Sequence, residues 1–130
     1  MKRILAVDAL TVKGKKILLI KRRFAPFKGF WALPGGLVEK SETIKEALIR
    51  EAKEETGLDI IPVRLVGIYD EPERDPRGVV SVAFLCKPKN AKTKPGEEVL
   101  DVKFFPLEEA VKMRLAFDHN KMIKDLKAME

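Results

Sequence analysis

The sequence predicts an α+β fold, an α/β/α sandwich in which a mixed β-sheet lies between helices. Short apolar segments with the composition of strands are interspersed with segments of helical periodicity. The chain has 130 residues, enough for one domain with a sizeable core, and its hydrophobic content of 45% is typical of a globular protein. We therefore expect a single domain over residues 1–130.

The individual elements are predicted from local patterns in chain order. Strands are expected at residues 4–12, 16–21, 31–36, 60–69, 79–86 and 99–105. Helices are expected from residue 44 to about residue 56, and at 107–111 and 119–129. Two polar connections remain: the loop DEPERDPRG at residues 70–78 and a lysine-rich and proline-rich segment at 87–96.

The helix that starts near Ile44 has clear end signals. Thr43 followed three residues later by Glu46 is a capping box, and Gly57 is suited to end the helix. At about 100° per residue, its apolar stripe is formed by Ile44, Ala47, Leu48 and Ala52. Glu51 and Glu55 fall near the middle of this stripe and Glu54 falls on its edge.

Carboxylates on the docking face of a helix need an explanation. Left unpaired there, each would cost several kcal/mol or become protonated. A bound divalent cation would hold them ionised, so the pattern indicates a metal site. The alternative, ordinary surface salt bridges at helical spacing, suits Glu46 and Lys53 better than Glu51 and Glu55.

Residues 36–58, GLVEKSETIKEALIREAKEETGL, resemble the signature of the Nudix hydrolase family. Its fixed positions are filled by Gly36, Glu42, Arg50, Glu51, Ala52, Glu54, Glu55, Gly57 and Leu58, of which Ala52 is small for its apolar position. The preceding WALPGG resembles the lead-in strand of the family. The resemblance implies the Nudix fold and hydrolysis of a nucleoside diphosphate linked to another moiety.

The resemblance also implies a set of site residues. Glu51 and Glu55 are the expected central metal ligands, with Glu54 and the Gly36 carbonyl assisting. Mg²⁺ is the expected cofactor and Mn²⁺ a substitute, because the ligands are hard oxygens. Arg50, grouped with the catalytic residues, is expected to pair with Glu42 and hold the loop on the helix.

The general base remains open between two glutamates. Glu51 could deprotonate water through the metal shell. Glu98 matches a position where some family members carry a further ligand or base, and it reads equally well as a solvated acid in a turn.

The substrate is expected to be a small nucleotide, with ADP-ribose favoured. Pro72 lies downstream of the signature, where relatives that cleave ADP-ribose often carry a proline. Candidate substrate-binding residues are Arg22, Phe24, Tyr69 and Arg77. The loop at 70–78 reads alternatively as a stiff, solvated connection. The alternative activities are pyrophosphohydrolysis of nucleoside triphosphates, sanitising (8-oxo-)dNTPs, and a non-catalytic nucleotide sensor.

Composition limits the partners. The net charge of +6 suits anionic nucleotides, and the scattered lysines lack the aromatic-rich basic pattern of nucleic-acid binding. No apolar run is long enough to span a membrane and no signal peptide is recognisable, so we expect a cytoplasmic protein. Absence of glutamine and 35% charged residues are typical of a thermophile. Whether the chain forms a homodimer stays open.

Overall fold

The computed structural model describes residues 2–129. Its strands are β1 (Leu5–Lys13), β2 (Lys16–Arg22), β3 (Trp31–Ala32), β4 (Gly35–Leu37), β5 (Ile60–Tyr69), β6 (Val80–Pro88) and β7 (Val99–Pro106). Its helices are α1 (Ile44–Thr56), α2 (Leu107–Ala110) and α3 (His119–Ala128), and a short 3₁₀ turn covers Pro72–Arg74. The predicted order of elements is confirmed, and most boundaries differ by one or two residues.

The sheet is mixed, as predicted. The strand order is β3-β2-β1-β6-β5, with β4 added to β1 and β7 added to β2. The β1–β6 pair is parallel and the other pairs are antiparallel. Strand β1 is therefore central, since it contacts β2, β4 and β6 along its length.

Two apolar cores cover the two faces of the sheet, which gives the predicted α/β/α sandwich. Because side chains alternate across a strand, Val7 and Ala9 of β1 face α1, whereas Leu10 faces α3. Helix α1 contributes Leu48 and Ala52 to the first core, and α3 contributes Met122 and Ile123 to the second. Cys86 is a free, buried thiol within the first core.

The ends of α1 confirm the capping prediction. The Glu46 amide donates to Thr43 Oγ1 at 3.1 Å, and the Thr43 amide donates to Glu46 Oε1 at 2.8 Å. At the other end Gly57 has φ 76°, in the left-handed region that glycine adopts without strain. These two signals fix the rotational phase of the helix, which decides where its glutamates point.

The strand expected at residues 31–36 is in fact two strands. β3 pairs with β2, and β4 pairs with β1, so the chain crosses between neighbouring strands at Leu33 and Pro34. Pro34 has no amide hydrogen to donate to a ladder, although its carbonyl accepts from the Ala9 amide at 2.8 Å. This crossing delivers Gly35 and Gly36 to the edge of a cavity.

Candidate active site

A two-part cavity opens between α1, the β1–β4 edge and the loop at 70–78. We call its larger part, of about 450 Å³, the outer pocket and its smaller part, of about 100 Å³, the inner pocket. Both parts share Ile20, Arg22, Gly35, Gly36, Leu37, Glu55 and Arg77. They therefore form one continuous site with an outer and an inner end.

Glu51 and Glu55 both face the outer pocket, as the helical phase predicts. The pKa of Glu55 is raised to about 8, mainly by burial; the charges of Glu51 and Asp8 act in the same direction, and a hydrogen bond from the Gly35 amide acts against them. That amide donates to Glu55 Oε1 at 2.9 Å. Burial also raises the pKa of Glu51. The pair is therefore desolvated and mutually repulsive when ionised.

Arg50 holds the loop before α1 against the helix. Its Nε and Nη2 donate to the two oxygens of Glu42 at 3.0 and 2.6 Å, and this hydrogen bonding lowers the pKa of Glu42 to about 2. Nη1 donates to Glu51 Oε1 at 2.6 Å, and Nη2 to the Leu37 carbonyl at 3.1 Å. The predicted pairing of Arg50 with Glu42 is confirmed.

The residues at the outer pocket fit a divalent cation in part. Their donors are hard carboxylate oxygens, and a cation would relieve the repulsion between Glu51 and Glu55. Gly36 lies against Glu51, because a Cβ atom there would meet the Glu51 carboxylate at 2.4 Å. Within residues 2–129, however, no three acidic, histidine or cysteine side chains converge enough to surround one ion. The Glu54 side chain is 55% exposed and lies 3.4 Å from Arg50.

Glu98 reaches the outer pocket through the connection before β7. This segment crosses the end of α1, where the Lys94 amide donates to the Thr56 carbonyl at 2.8 Å and the Gly96 amide to the Glu55 carbonyl at 3.1 Å. Close approach requires glycine at position 96, since a Cβ atom would lie 1.9 Å from the Glu54 carbonyl oxygen. The end of the helix therefore places Glu98 opposite Glu51.

Two of the predicted arginines line both pockets. The register of β2 against β7 shifts between Lys21 and Arg22, and the Arg22 Nε donates to the Pro26 carbonyl at 2.7 Å. Burial and the charge of Arg77 lower the pKa of Arg22. Arg77 in turn donates from Nη2 to Asp75 at 2.9 Å. Phe24 is 59% exposed at the outer pocket.

Tyr69 does not reach the cavity, which corrects the prediction that it binds substrate. Its side chain belongs to the core beneath α3 and is 5% exposed, and its hydroxyl donates to Asp125 Oδ2 at 2.8 Å. The sequence suggested an accessible ring because Tyr69 precedes a polar loop. As the last residue of β5, it points to the buried face of the sheet instead.

Four polar side chains at the inner pocket were not predicted as site residues: Asp8, Asp75, Ser81 and His119. Asp8 had a local signal, because it interrupts the apolar strand AVDALTV with a carboxylate. Ser81 and His119 had none, since only the fold brings β6 and α3 to that point. Phe117 also lines the inner pocket and has φ 53°.

An α/β/α sandwich with paired helix glutamates beside a glycine turn defines a class of nucleotide-processing hydrolases. The chain belongs to the Nudix family: the NUDIX domain matches residues 2–126. Members of this family generally need a divalent metal ion for hydrolysis.

Three proteins show which members of the family this chain is similar to. The ADP-ribose pyrophosphatase of Methanocaldococcus jannaschii is 50% identical over 121 residues, covering 92% of this chain and 70% of that protein. The ADPR responsive transcriptional repressor NtrR of Acinetobacter baylyi is 34% identical over 113 residues, covering 84% of this chain and 45% of the repressor. The NUDIX domain of Shewanella oneidensis NrtR, solved with ADP ribose, has a TM-score of 0.86 at 29% identity, covering 99% and 89% of the two chains.

The chain thus spans less than half the length of the Acinetobacter repressor. Among the described residues, no helix combines the length and apolar character needed to cross a membrane.

Proposed function

We propose that this chain is a Mg²⁺-dependent ADP-ribose pyrophosphatase that hydrolyses ADP-ribose to AMP and ribose 5-phosphate in the cytoplasm. The observation that carries the proposal is the outer pocket, where the Glu51–Glu55 pair and the guanidinium groups of Arg22 and Arg77 line the same cavity. Carboxylates suit a cation, and arginines suit the phosphates that such a cation accompanies. The substrate is supported by the 50% identity to the Methanocaldococcus jannaschii pyrophosphatase.

Glu51 and Glu55 are the proposed ligands of Mg²⁺, with Glu54 and the Gly36 carbonyl as further ligands. Bound there, Mg²⁺ would neutralise phosphate charge and lower the pKa of a water that attacks phosphorus. Arg50 keeps Glu51 in place through its 2.6 Å hydrogen bond and ties it to Glu42. The chain itself therefore supplies a preorganised set of carboxylates on one side of the pocket.

We propose Glu98 as the general base. Glu51 Oε1 already accepts from Arg50, whereas within residues 2–129 no ion pair or side-chain hydrogen bond engages the Glu98 carboxylate. A free carboxylate in the same pocket is suited to take the proton of the attacking water. Arg22 and Arg77 would hold the diphosphate during attack, since charge-assisted contacts to phosphate fix its orientation.

A substrate panel tests the proposed function. Purified protein is incubated with Mg²⁺ and ADP-ribose, dGTP or 8-oxo-dGTP, and the products are resolved by chromatography. We expect the highest kcat/KM for ADP-ribose, AMP and ribose 5-phosphate as products, and no turnover in excess EDTA until Mg²⁺ is restored. Preference for a triphosphate would instead indicate a sanitising pyrophosphohydrolase. Binding of ADP-ribose without hydrolysis would indicate a sensor, and full activity in chelator would contradict the metal site.

A further inference from the structure

The floor of the inner pocket is a buried polar cluster that α1 does not supply. Asp8 of β1 is 7% exposed and His119 of α3 is 2% exposed. Ser81 of β6 donates from Oγ to Asp8 Oδ2 at 2.5 Å. His119 Nε2 lies 3.4 Å from Asp8 Oδ1. Two strands of the sheet and the helix that covers them thus meet at one carboxylate, that of Asp8.

The surroundings of Asp8 leave it able to accept further hydrogen bonds. The Leu33 amide donates to His119 Nδ1 at 3.0 Å, so in the neutral ring the proton is on Nε2, facing Asp8. Ser81 therefore uses one acceptor position of Asp8 Oδ2, and His119 Nε2 lies 3.4 Å from Oδ1, whereas a carboxylate offers about four acceptor positions. Gly35 packs directly against this carboxylate, because a Cβ atom there would lie 2.1 Å from the Val7 carbonyl oxygen and 2.5 Å from Asp8 Oδ1.

The inner pocket also carries cationic side chains. Arg22 and Arg77 line it, and burial together with the charge of Arg77 lowers the pKa of Arg22. Arg77 is paired with Asp75 at 2.9 Å, whereas among the described residues no carboxylate forms an ion pair with Arg22, so its guanidinium group can bind an anion. The inner pocket therefore combines an anion-binding end with a hydroxyl-accepting floor.

The aromatic side chains distinguish the two pockets. Phe117 lines the inner pocket, but Arg22 lies 5.0 Å from its centroid and the Phe27 ring packs edgewise at 4.8 Å. At the outer pocket, by contrast, Phe24 is 59% exposed. A nucleobase gains from stacking on an accessible ring, which favours the outer pocket for the base.

We propose that the inner pocket binds the sugar phosphate end of the substrate, with Asp8 accepting hydrogen bonds from its hydroxyl groups, and that the nucleoside end lies in the outer pocket against Phe24. This assignment rests on the proposed function, since it names which half of an ADP-ribose-like substrate enters each pocket. Asp8 is then a specificity-determining residue, and Ser81 and His119 position its carboxylate.

Product inhibition separates the two halves of the substrate. Inhibition constants for AMP, ribose 5-phosphate and inorganic phosphate are measured for wild type, Asp8→Asn and Phe24→Leu. In Asp8→Asn we expect inhibition by ribose 5-phosphate to weaken about tenfold or more, because a charge-assisted hydrogen bond is lost, while inhibition by AMP changes less than about twofold. Phe24→Leu should show the reverse. Asp59→Asn, at an exposed aspartate on the surface, is the matched control and should change neither constant.

A second measurement uses only the wild-type protein, so it does not depend on whether a variant folds. Ribose 5-phosphate should inhibit it about tenfold or more better than inorganic phosphate, because only the sugar reaches Asp8. Equal inhibition by the two would overturn the assignment. So would selective loss of AMP inhibition in Asp8→Asn, which would place the base in the inner pocket. Failure of wild type to hydrolyse ADP-ribose would refute the proposed function separately, because calorimetry with ribose 5-phosphate still tests the inner pocket.

Discussion

The Glu55 carboxyl group is costly to ionise in the folded protein, and the same burial suits it to bind a cation. It accepts a hydrogen bond from the Gly35 amide at 2.9 Å, yet burial raises its pKa to about 8. Such a carboxyl group is costly to ionise in the protein alone and is ionised readily beside a cation. We therefore expect substitution of Glu55, a proposed metal ligand, to have a direct effect on activity.

We predict that Glu55→Gln lowers kcat for ADP-ribose by about two orders of magnitude or more, the scale observed when one group that stabilises transition-state charge is removed. The fold should be retained, because volume is nearly constant and a buried repulsive charge disappears. Glu46→Gln on the exposed face is the control. A glutamine there can still accept from the Thr43 amide, so activity should be close to wild type. Equal losses in the two variants would show that the pocket is not the active site.

The neighbouring glutamates 97 and 98 offer a matched test of the general base. Glu98 lines the outer pocket, whereas Glu97 is exposed outside it. We predict that Glu98→Gln lowers kcat by about 10²- to 10⁴-fold, as for loss of general base catalysis, with little change in KM, and that Glu97→Gln is near wild type. A near-wild-type kcat in Glu98→Gln would return the role to Glu51.

For single residues, the sequence predicted correctly those positions that depend on the local periodicity of one helix. Glu51 and Glu55 were placed correctly because the capping box and Gly57 fix the phase of a single helix. Asp8 and His119 are 111 positions apart, and no local pattern reports that β1 and α3 meet at the pocket floor. Tyr69 was misassigned for a related reason, since the face of a strand end cannot be inferred from the loop that follows it.

Among the elements, the connection before β7 has an unexpected structural role. Predicted only as a polar connection, it satisfies carbonyl groups at the end of α1 through the amides of Lys94 and Gly96. No local pattern predicted this contact, because it joins residues about 40 positions apart through backbone atoms alone. The same contact carries Glu98 into the outer pocket.

We predict that Gly96→Ala destabilises the protein by about 1–3 kcal/mol, the usual cost of forcing an extra carbon into a packed contact. The new Cβ atom would lie 1.9 Å from the Glu54 carbonyl oxygen, so the connection must shift away from α1. Because Glu98 shifts with it, kcat should fall more than KM rises. Urea unfolding and steady-state kinetics measure the two effects. Lys92→Ala, at an exposed position of the same connection, should leave both unchanged, and similar behaviour of the two variants would contradict the contact.

At the scale of the whole molecule, the sandwich assigns different tasks to the two faces of its sheet. Helix α1, over one face, carries the glutamate pair, and the face under α3 carries Asp8 and Ser81 beside His119. The cavity joins them at the β1–β4 edge, where Gly35 separates Glu55 from Asp8. Carboxylates from both faces therefore accumulate at one place, and their ionisation is linked to the stability of the entire fold.

This linkage predicts a pH dependence with a definite sign. The pKa of Glu55 rises from an ordinary value of 4.5 to about 8 on folding, so the folded chain binds more protons than the unfolded chain between these values. Glu55 therefore opposes folding increasingly as pH rises through this window. In EDTA, Glu55→Gln should gain about 1–4 kcal/mol in unfolding free energy relative to wild type between pH 5 and pH 9.

Urea denaturation of wild type and Glu55→Gln in EDTA at the two pH values measures this difference, and Glu46→Gln provides the baseline for loss of an exposed carboxylate. Adding Mg²⁺ at pH 9 should raise the stability of wild type much more than that of Glu55→Gln, because a cation stabilises the ionised carboxylate only where it is present. If the wild-type and Glu55→Gln stabilities instead ran parallel from pH 5 to pH 9, the Glu55 carboxyl group would be hydrated. The cavity could not then impose the desolvation on which its affinity for a cation depends.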